Sequence, residues 1–480
     1  MTGTSAPVYA RIADELARLI ESAALRPGER LPSVRRLALQ KRISATTAVA
    51  SLRSLERRGL IEARPQSGYF VRPRAQSLAE PRLPRPRSSA RQVGVSGLIT
   101  RLNEASLDPR VVPLGAAIPD ADLFPGSGLR REVALVARSQ PRALTDYVRE
   151  VAGLPALRHE IVRHYAQLGC ELHDEELSIT NGCTEALNLA LRAVARAGDT
   201  IAVESPTYFG FLQIYESLGL KVLELPTHPR DGLVVEALQE RLASRGGKDI
   251  KACVVIANFS NPTGATLPDA RKRQLVQTCA RAGIALIEDD IYGDLPHGSM
   301  RPLPAKAFDD HGGVILCSSF SKTLAPGARI GFVSGARWTD DIRALKSITS
   351  VATPLLLQQA LANFLRAGRY ARHLPRLRRA FAEQVARVTA AVEAAFPAGT
   401  RLSRPQGGFV LWVELPGAID TLAVYEHARA EQLDFAPGPL FSPTAGRYRN
   451  CLRLNCGQKW NPQTERALMR LGALLHRSLG

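Results

Sequence analysis

The sequence has no apolar run long enough to cross a membrane and no closely spaced pair of cysteines. Its seven cysteines are an odd number and none forms a C-x-x-C pair, so we expect reduced core residues rather than disulfides or metal ligands. No apolar stretch reaches the roughly 18 residues of a spanning helix. The start, MTGTSAPVYARIADELARLI, is an amphipathic pattern that contains acids, unlike a signal or transit peptide. We therefore expect a cytoplasmic protein without a membrane partner.

Acidic residues are also too few to balance the basic ones. The chain has 63 Lys and Arg against 45 Asp and Glu, for a net charge of +18. This charge suggests a polyanionic partner, although an arginine-rich genome would produce it too. The 480 residues are 45% apolar and 22% charged, which is typical of a soluble globular chain of roughly one to four domains.

The first segment has the pattern of two short helices joined by a tight turn. Apolar residues at helical spacing predict an amphipathic helix over residues 7–23. Ser33 then caps a short helix, and Ser44 caps a second one after a brief turn. Leu60–Ala63 and Gly68–Val71 are predicted strands on either side of a turn. Together these elements predict a helix-turn-helix followed by a wing.

This segment resembles the GntR family of winged-helix DNA-binding domains. The residues that carry the resemblance are RPGERLPSVRRLA, ISATTAVASLRSLERRGLIEARP and SGYFV. The resemblance implies that double-stranded DNA is a partner. It also implies that Gly68 lies at the tip of the wing and that four side chains face DNA, namely those of Arg35, Thr46, Thr47 and Arg64.

One position departs from the GntR pattern. Family members often carry arginine directly after the capping serine, where this chain has Ala45. Arginine is the commonest reader of guanine edges, so direct base readout loses one contact. Arg42 or Arg53 could take its place. The alternative to DNA binding is a small helical module for protein interaction.

A basic, proline-rich stretch separates this segment from the rest. In residues 75–97, prolines at 81, 84 and 86 alternate with arginines at 82, 85 and 87. The stretch shows no apolar face, so we predict an extended, semi-rigid tether. Its arginines either contact DNA phosphates or simply keep the tether solvated. We therefore divide the chain into residues 1–74, the linker 75–97 and a large domain, residues 98–480.

The large domain alternates apolar runs with helical patterns. From about residue 156 to 335 the runs are uniformly apolar, as in strands that are covered on both faces. This predicts an α/β fold with a mostly parallel sheet and helices on both faces, in a large lobe of about residues 110–365. Residues from about 370 to 480 mix helices with short strands and predict a smaller α+β lobe.

The clearest chemical signal is SSFSKTLAPGARIG, which follows the apolar run Val314–Cys317. Lys322 would lie at the carboxyl end of a strand, where open α/β sheets bind ligands. Ser319 and Arg329 add a hydroxyl and a guanidinium that suit a phosphate. An amine beside a phosphate site suggests a Schiff base to pyridoxal 5'-phosphate (PLP). Alone, Lys322 could equally be an ordinary surface lysine.

Other candidate residues also follow predicted strands. In one group the backbone amides of Cys183 and Thr184 begin a helix after a glycine and can bind an anion. In a second group the side chains could contact a pyridine ring. These residues are Tyr208, Asn261, Asp289 and Tyr292. Each has an ordinary structural explanation when taken alone, such as a helix cap or a turn. The signal is their common position at strand ends.

Taken in order, these motifs resemble the aminotransferases of fold type I, which are PLP-dependent enzymes. The resemblance covers roughly residues 110–475. It implies that Lys322 bonds to the cofactor aldehyde and Asp289 pairs with the ring nitrogen. It further implies a phenolic-oxygen site at Asn261 and Tyr292, ring stacking by Tyr208, and a phosphate site formed by the amides of Cys183 and Thr184 with Ser319, Arg329 and a partner subunit's Tyr147. Arg453, in an apolar strand, matches the arginine that binds a substrate carboxylate.

The combination of the two domains resembles the MocR subfamily of transcription regulators. The resemblance implies a PLP-dependent regulator that forms head-to-tail homodimers and senses PLP, an amino acid or an amine. A working aminotransferase with an accessory DNA-binding domain is the competing hypothesis, because no catalytic group is missing. A DNA-binding protein whose large domain only dimerises is a third, which the intact set of Lys322, Asp289 and Arg329 disfavours.

Overall fold

The computed structural model describes residues 7–21, 25, 29–57, 60–64, 68–71, 78–87, 89–94, 99 and 111–479. Within this part of the chain, no helix is both long and apolar enough to cross a membrane. The same residues contain no group of three or more metal-binding side chains close enough to hold an ion. All seven cysteines are buried free thiols.

The amino-terminal segment has the predicted winged-helix arrangement. Its elements are α1 (Val8–Glu21), α2 (Val34–Lys41), α3 (Ala45–Arg57), β1 (Ile61–Arg64) and β2 (Gly68–Val71). Strands β1 and β2 form an antiparallel hairpin, and the turn between them lies outside the described residues. The helices enclose a small core of their own that includes Leu37, Leu52 and Leu55. The prediction of a helix-turn-helix with a wing is confirmed.

Two local signals set the helix-turn-helix. The Ser33 side chain accepts a hydrogen bond from the backbone N–H of Arg36, which caps the start of α2. Arg42 ends α2 with a left-handed backbone conformation. Ser44 then accepts from the N–H of Thr47 at 3.1 Å and caps α3. The predicted helix boundaries therefore follow from polar caps rather than from apolar spacing alone.

The remaining elements follow in chain order, with short 3-10 turns between several of them. They are β3 (Arg91–Gln92), α4 (Gly126–Ser139), α5 (Pro155–Gln167), β4 (Leu177–Thr180), α6 (Cys183–Val194), β5 (Thr200–Ser205), α7 (Phe209–Ser217), β6 (Lys221–His228), β7 (Gly232–Leu233), α8 (Val235–Ala243), β8 (Ile250–Val255), α9 (Asp269–Ala282), β9 (Ala285–Asp289), β10 (Val314–Ser319), β11 (Gly331–Ser334), α10 (Thr339–Thr349), α11 (Leu355–Arg366), α12 (Arg369–Ala395), β12 (Arg401–Leu402), β13 (Val410–Glu414), α13 (Thr421–Ala430), β14 (Ala436–Pro437), β15 (Cys451–Asn455) and α14 (Pro462–Arg477).

A large mixed sheet is the centre of what we call the large lobe. Its strand order is β3-β6-β5-β8-β9-β10-β11-β4, with β7 paired to β6. Strands β6, β5, β8, β9 and β10 run parallel, and β11 is antiparallel to both its neighbours. The central strands are buried except for Lys251 near the start of β8, because helices cover both faces. The predicted mostly parallel α/β sheet is confirmed.

A four-stranded antiparallel sheet forms what we call the small lobe. Its strand order is β12-β13-β15-β14, and α12, α13 and α14 belong to the same part of the chain. The apolar sides of α12 and α14 are buried, with Leu377, Phe381 and Leu471 fully enclosed. The α+β character predicted for the carboxyl-terminal lobe is therefore confirmed.

The linker was predicted to bury nothing, and this was wrong for the part that the structure describes. Residues 81–87 have no regular secondary structure, but Leu78 packs against the core and Pro81 is buried. Strand β3, within the range assigned to the linker, joins the edge of the large sheet by pairing with β6. Main-chain pairing leaves no side-chain pattern, so the sequence did not reveal it. The domain boundaries themselves stay a prediction.

Candidate cofactor-binding site

Lys322 lies in the loop after β10, at the carboxyl edge of the parallel strands. Its Nζ donates a hydrogen bond to the backbone carbonyl of Ala117 at 2.8 Å. Loss of hydration and, next, the positive charge of Arg453 lower the pKa of the Lys322 amine to about 8. A substantial fraction of the amine is therefore neutral near physiological pH, as a nucleophilic lysine requires.

Asp289 ends β9, the strand beside β10, and is 4% exposed. Its Oδ1 accepts hydrogen bonds from the backbone N–H of Ile291 at 3.0 Å and from the thiol of Cys183 at 3.3 Å. Burial raises the pKa of this carboxyl to about 7. A carboxylate held in this way favours a cationic partner, such as a protonated ring nitrogen.

An anion site lies at the start of α6. Gly182 precedes the helix with φ +82° and caps it without a side chain, so the backbone N–H groups of Cys183 and Thr184 are at the positive end of the helix. Arg329 is near them: its Nη2 is 3.4 Å from the carbonyl oxygen of Asn181. Ser319 is the last residue of β10, and these groups border the same cavity as Lys322.

We predict that Gly182→Ala weakens PLP binding by about tenfold or more. A Cβ at this position would come within 2.5 Å of Nη2 of Arg329, and so would displace a guanidinium from the anion site. A matched control is Gly198→Ala, because Gly198 has a similar φ of +91° but no atom within 4 Å of a Cβ. Both variants bear a backbone cost of about 1–3 kcal/mol for a side chain at positive φ, and Gly182, with ψ 174°, lies in a region that glycine almost alone adopts. Only Gly182→Ala also displaces Arg329, so only this variant should change the Kd for PLP in a spectroscopic titration. Equal effects would contradict the prediction.

The residues predicted to surround a ring are brought together. The side-chain amide nitrogen of Asn261 is 3.3 Å from the hydroxyl of Tyr292, and burial raises the pKa of that hydroxyl. Tyr208 lines the same cavity and packs closely over Gly210, where a Cβ would come within 2.6 Å of its ring. Sequence order alone therefore predicted which side chains meet.

Arg453 lies on β15 and is fully buried. One Nη donates to Oδ1 of Asn261 at 3.0 Å and the other to the carbonyl oxygen of Gly115, while Nε has no hydrogen-bond partner among the residues that the structure describes. Its guanidinium carbon is 5.6 Å from the ring centre of Phe209 and 5.3 Å from that of Phe441. Burial lowers its pKa. Arg453 thus lies behind the wall of the cavity, covered by the loop that contains Gly115.

A single cavity of about 390 Å³ joins these groups, and residues of both lobes line it. Several residues that line it escaped the sequence interpretation, among them Gly115, Ala117 and Asp434. Asp434 is buried, accepts from the N–H of Gly115 at 2.8 Å, and has a pKa raised by burial to about 6. An acid in the apolar stretch LDFAPGPLF was the available signal, of the same kind that singled out Arg453.

Tyr147 is not brought to this cavity. Its side chain is 82% exposed, and it is absent from the lining of the cavity. Within one chain it therefore makes no contact with the site, as the resemblance also implied by assigning it to a partner subunit.

The predicted DNA-facing residues lie on the surface of α2, α3 and the hairpin. Arg35 and Thr46 are exposed. Thr47 is only half-buried, and its hydroxyl is 2.8 Å from that of Ser44. Gly68 begins β2 with φ +97°, and the side chain of Arg64 lies outside the described part. Thr47 therefore also serves the cap of α3.

Comparison with known proteins agrees with both parts of this architecture. Residues 134–471 match the family model for aminotransferase class I and II, and residues 8–71 match that for bacterial regulatory proteins of the gntR family. The chain belongs to the class I and II aminotransferases and carries a GntR domain. This is the MocR arrangement, and the MocR-type chain is 36% identical to the uncharacterized HTH-type transcriptional regulator YjiR of Escherichia coli, over 98% of this chain and 99% of that one.

Solved structures resemble the aminotransferase part of the MocR-type chain. The alpha-aminoadipate aminotransferase LysN of Thermus thermophilus, complexed with N-(5'-phosphopyridoxyl)-L-leucine, has a TM-score of 0.72 at 27% identity and covers 79% of this chain and 95% of its own. The kynurenine aminotransferase of Pyrococcus horikoshii, complexed with PMP, has a TM-score of 0.73 at 25% identity and covers 81% and 96%. Homologues of this fold are PLP-dependent.

The residues present fit PLP. An amine with a lowered pKa, a buried carboxylate and a glycine-bounded anion site line one cavity. When bound, PLP supplies an aldehyde that reacts with amines and a ring that withdraws electrons. The MocR-type chain therefore offers a group for each end of this cofactor.

Proposed function

We propose that this chain is a transcription regulator that binds double-stranded DNA through its GntR domain and senses PLP, or an amino compound that reacts with bound PLP, through its aminotransferase-like domain. One observation carries the proposal: a winged helix with exposed Arg35 and Thr46 is on the same chain as a cavity lined by an amine, a carboxylate and anion-binding groups of the types that suit PLP. Such a regulator acts in the cytoplasm of a bacterium, where its DNA is.

We assign each cofactor contact as follows. Lys322 is the amine that bonds to the aldehyde, and Asp289 holds the ring nitrogen in its protonated form. The other proposed contacts are the phenolic oxygen with Asn261 and Tyr292, the ring face with Tyr208, and the phosphate with Ser319, Arg329 and the amides of Cys183 and Thr184. The supports are the positions of these groups around one cavity and the lowered pKa of the Lys322 amine.

The effector is proposed to be an amino acid or another amine. Arg453 would bind its carboxylate, in the place that the Gly115 carbonyl takes in this structure. A buried guanidinium with an unpartnered Nε supports this role, because such a group is costly unless a ligand repays its desolvation. The amino group of the effector would then face Lys322 and the cofactor.

We further propose a head-to-tail homodimer. Tyr147 and Leu144 are 82% and 75% exposed, which is unusual for a tyrosine and a leucine so close in the chain. In the dimer Tyr147 would reach the phosphate site of the partner subunit. Two GntR domains in one dimer would then contact two half-sites of an operator.

We expect the full-length protein, with PLP present, to retain DNA from upstream of its own gene in a mobility-shift assay. Retention should depend on PLP or on an added amine, and should weaken as salt rises because phosphate contacts contribute. Arg35→Ala should lower the affinity about tenfold or more if Arg35 contacts a base, while Arg271→Ala, on an exposed helix of the large lobe, should not. If no such fragment is retained at low salt with PLP present, the regulatory proposal is wrong.

A second candidate function is a working aminotransferase. The observation that favours it is that Lys322 and Asp289, an amine and a carboxylate of the types that transamination needs, line one cavity, with Arg453 buried behind its wall. Steady turnover of an amino acid with 2-oxoglutarate would support the enzyme. Binding of PLP without turnover, together with PLP-dependent DNA retention, would support the regulator.

A further inference from the structure

The described part of the linker begins with a segment that is attached to the small lobe. We call Leu78–Arg82 the docked segment. The carbonyl oxygen of Ala79 accepts from the backbone N–H of Leu402 at 2.8 Å, beside β12. The backbone N–H of Arg82 donates to Oε2 of Glu414, at the end of β13, at 2.7 Å. Backbone groups carry these contacts, so they fix the path of the chain and not only the position of its side chains.

Glu80, in the middle of the docked segment, contacts both lobes. Its carbonyl oxygen accepts from Nη1 of Arg401 in the small lobe at 3.1 Å. Its carboxylate accepts from Nε and Nη2 of Arg230 in the large lobe, at 3.1 and 2.9 Å. Arg230 belongs to the turn between β6 and β7. The docked segment therefore lies across the boundary between the lobes.

A few residues later the linker is attached to the large lobe alone. Strand β3 pairs with the edge strand β6, with Arg91 opposite Val222 and Gln92 opposite Lys221. The chain between Arg82 and Arg91 thus connects a point on the small lobe with a point on the large one. A change in the separation of the lobes must change the geometry of this stretch.

The ligand cavity lies at the same boundary. Asp289 and Lys322 line it from the large lobe, and Tyr425, Asp434 and Leu440 line it from the small lobe. A ligand that contacts both sides favours one separation of the lobes over others. Ligand binding in the cavity and attachment of the docked segment at the surface therefore both depend on the separation of the two lobes.

We propose that the docked segment couples the separation of the two lobes to the reach of the GntR domain. In one arrangement of the lobes the linker is attached at Leu78 and Glu80, and in another arrangement it is released. This inference rests on the proposed function, since it assumes that the site changes DNA binding. In this proposal the Glu80–Arg230 ion pair is the contact that forms or breaks as the separation of the lobes changes. The surface at the boundary between the two lobes thus binds a segment of the same chain, namely its own linker.

Docking changes how far the GntR domain can reach. From Val71, at the end of β2, to Leu78 there are seven residue steps, which span at most about 25 Å when fully extended. If the tether were held only from Arg91 onward, twenty steps would span at most about 70 Å. A shorter tether restricts the spacing that two DNA-binding domains in a dimer can adopt.

The test uses the full-length protein and two measurements. The first is the rate at which trypsin cuts after Arg82, followed by mass spectrometry, which reports undocking directly. Glu80→Gln and Arg230→Ala should each raise this rate about twofold to fivefold, as for an exposed ion pair. The double variant should be no faster than either single one, because both remove the same contact. Arg271→Ala is the matched control, since it removes an exposed pair with Glu236 elsewhere on the large lobe.

The second measurement is the ratio of DNA affinities with and without PLP, on DNA from upstream of the gene. Both variants should bring this ratio toward one, while the Kd for PLP changes by no more than the twofold to fivefold by which they loosen docking, because the two equilibria are linked. Cleavage that is no faster than in the wild type, or a ratio that stays at the wild-type value, would overturn the inference. A wild-type ratio of one would instead overturn the proposed function, and the cleavage rates would still show whether the docked segment is held by Glu80.

Discussion

Lys322→Ala should leave the protein colourless when PLP is added, whereas the wild type should acquire a visible absorption band. Lys322 is the lysine that lines the cavity, and its amine is partly neutral because its pKa is about 8. After borohydride treatment, mass spectrometry should find a stable phosphopyridoxyl adduct on Lys322 in the wild type and no adduct there in the variant. Lys251→Ala, which removes an exposed lysine at the start of β8, is the control and should behave as the wild type.

Lys322 also determines how the reaction of the protein with PLP depends on pH. Only the neutral amine attacks an aldehyde, so the rate of band formation should rise as the pH passes through about 8 and then level off. A lysine with its ordinary pKa would show the rise about two pH units higher. An adduct that forms at several surface lysines with equal ease would contradict the assignment of Lys322.

Asp289→Asn should weaken PLP binding by about tenfold to a hundredfold, because a charged hydrogen bond to the ring nitrogen is worth about 1.5–3 kcal/mol. The same substitution should stabilise the protein without PLP. Burial raises the folded-state pKa of Asp289 to about 7, so its ionisation opposes folding, and the stability present at low pH is lost as the pH rises toward 7. Asparagine has nearly the same shape as aspartate but cannot ionise, so it removes the free-energy cost of a buried charge.

The measurements are Kd for PLP and thermal unfolding at two pH values. The Tm of the PLP-free variant should exceed that of the wild type at pH 8, with a much smaller difference near pH 4, where the Asp289 carboxyl is protonated in the folded protein. Asp231→Asn, at an exposed turn, should change neither quantity appreciably. A variant that binds PLP as tightly as the wild type would show that Asp289 does not contact the ring.

The sequence revealed most of the site because parallel strands end at one edge of a sheet. Asp289 and Lys322 are 33 positions apart in the chain, yet β9 and β10 are neighbours, with Cys317 opposite Asp289. Apolar runs located the strands, and the polar residues that follow them therefore had to lie close together. Strand direction was less accessible from the sequence: β11 is as fully buried as the parallel strands of the sheet, but it runs antiparallel to both of its neighbours.

What escaped prediction depends on main-chain contacts between distant segments. The loop with Gly115 and Ala117 holds Arg453 and Lys322 through carbonyl oxygens, and no residue type marks a carbonyl as an acceptor. The docking of Ala79 on Leu402 is of the same kind. The sequence indicated only one role for Thr47, a DNA contact, whereas its hydroxyl also contacts that of Ser44 in the cap of α3.

The central claim is that PLP bonded to Lys322 alters how the same chain binds DNA. The most direct test is to titrate DNA from upstream of the gene with the wild type and with Lys322→Ala, each with and without PLP. We expect a PLP-dependent change in DNA affinity for the wild type and none for the variant, although both proteins still bind DNA. The same PLP response in both proteins, or DNA binding by the wild type that is indifferent to PLP and to added amines, would contradict it.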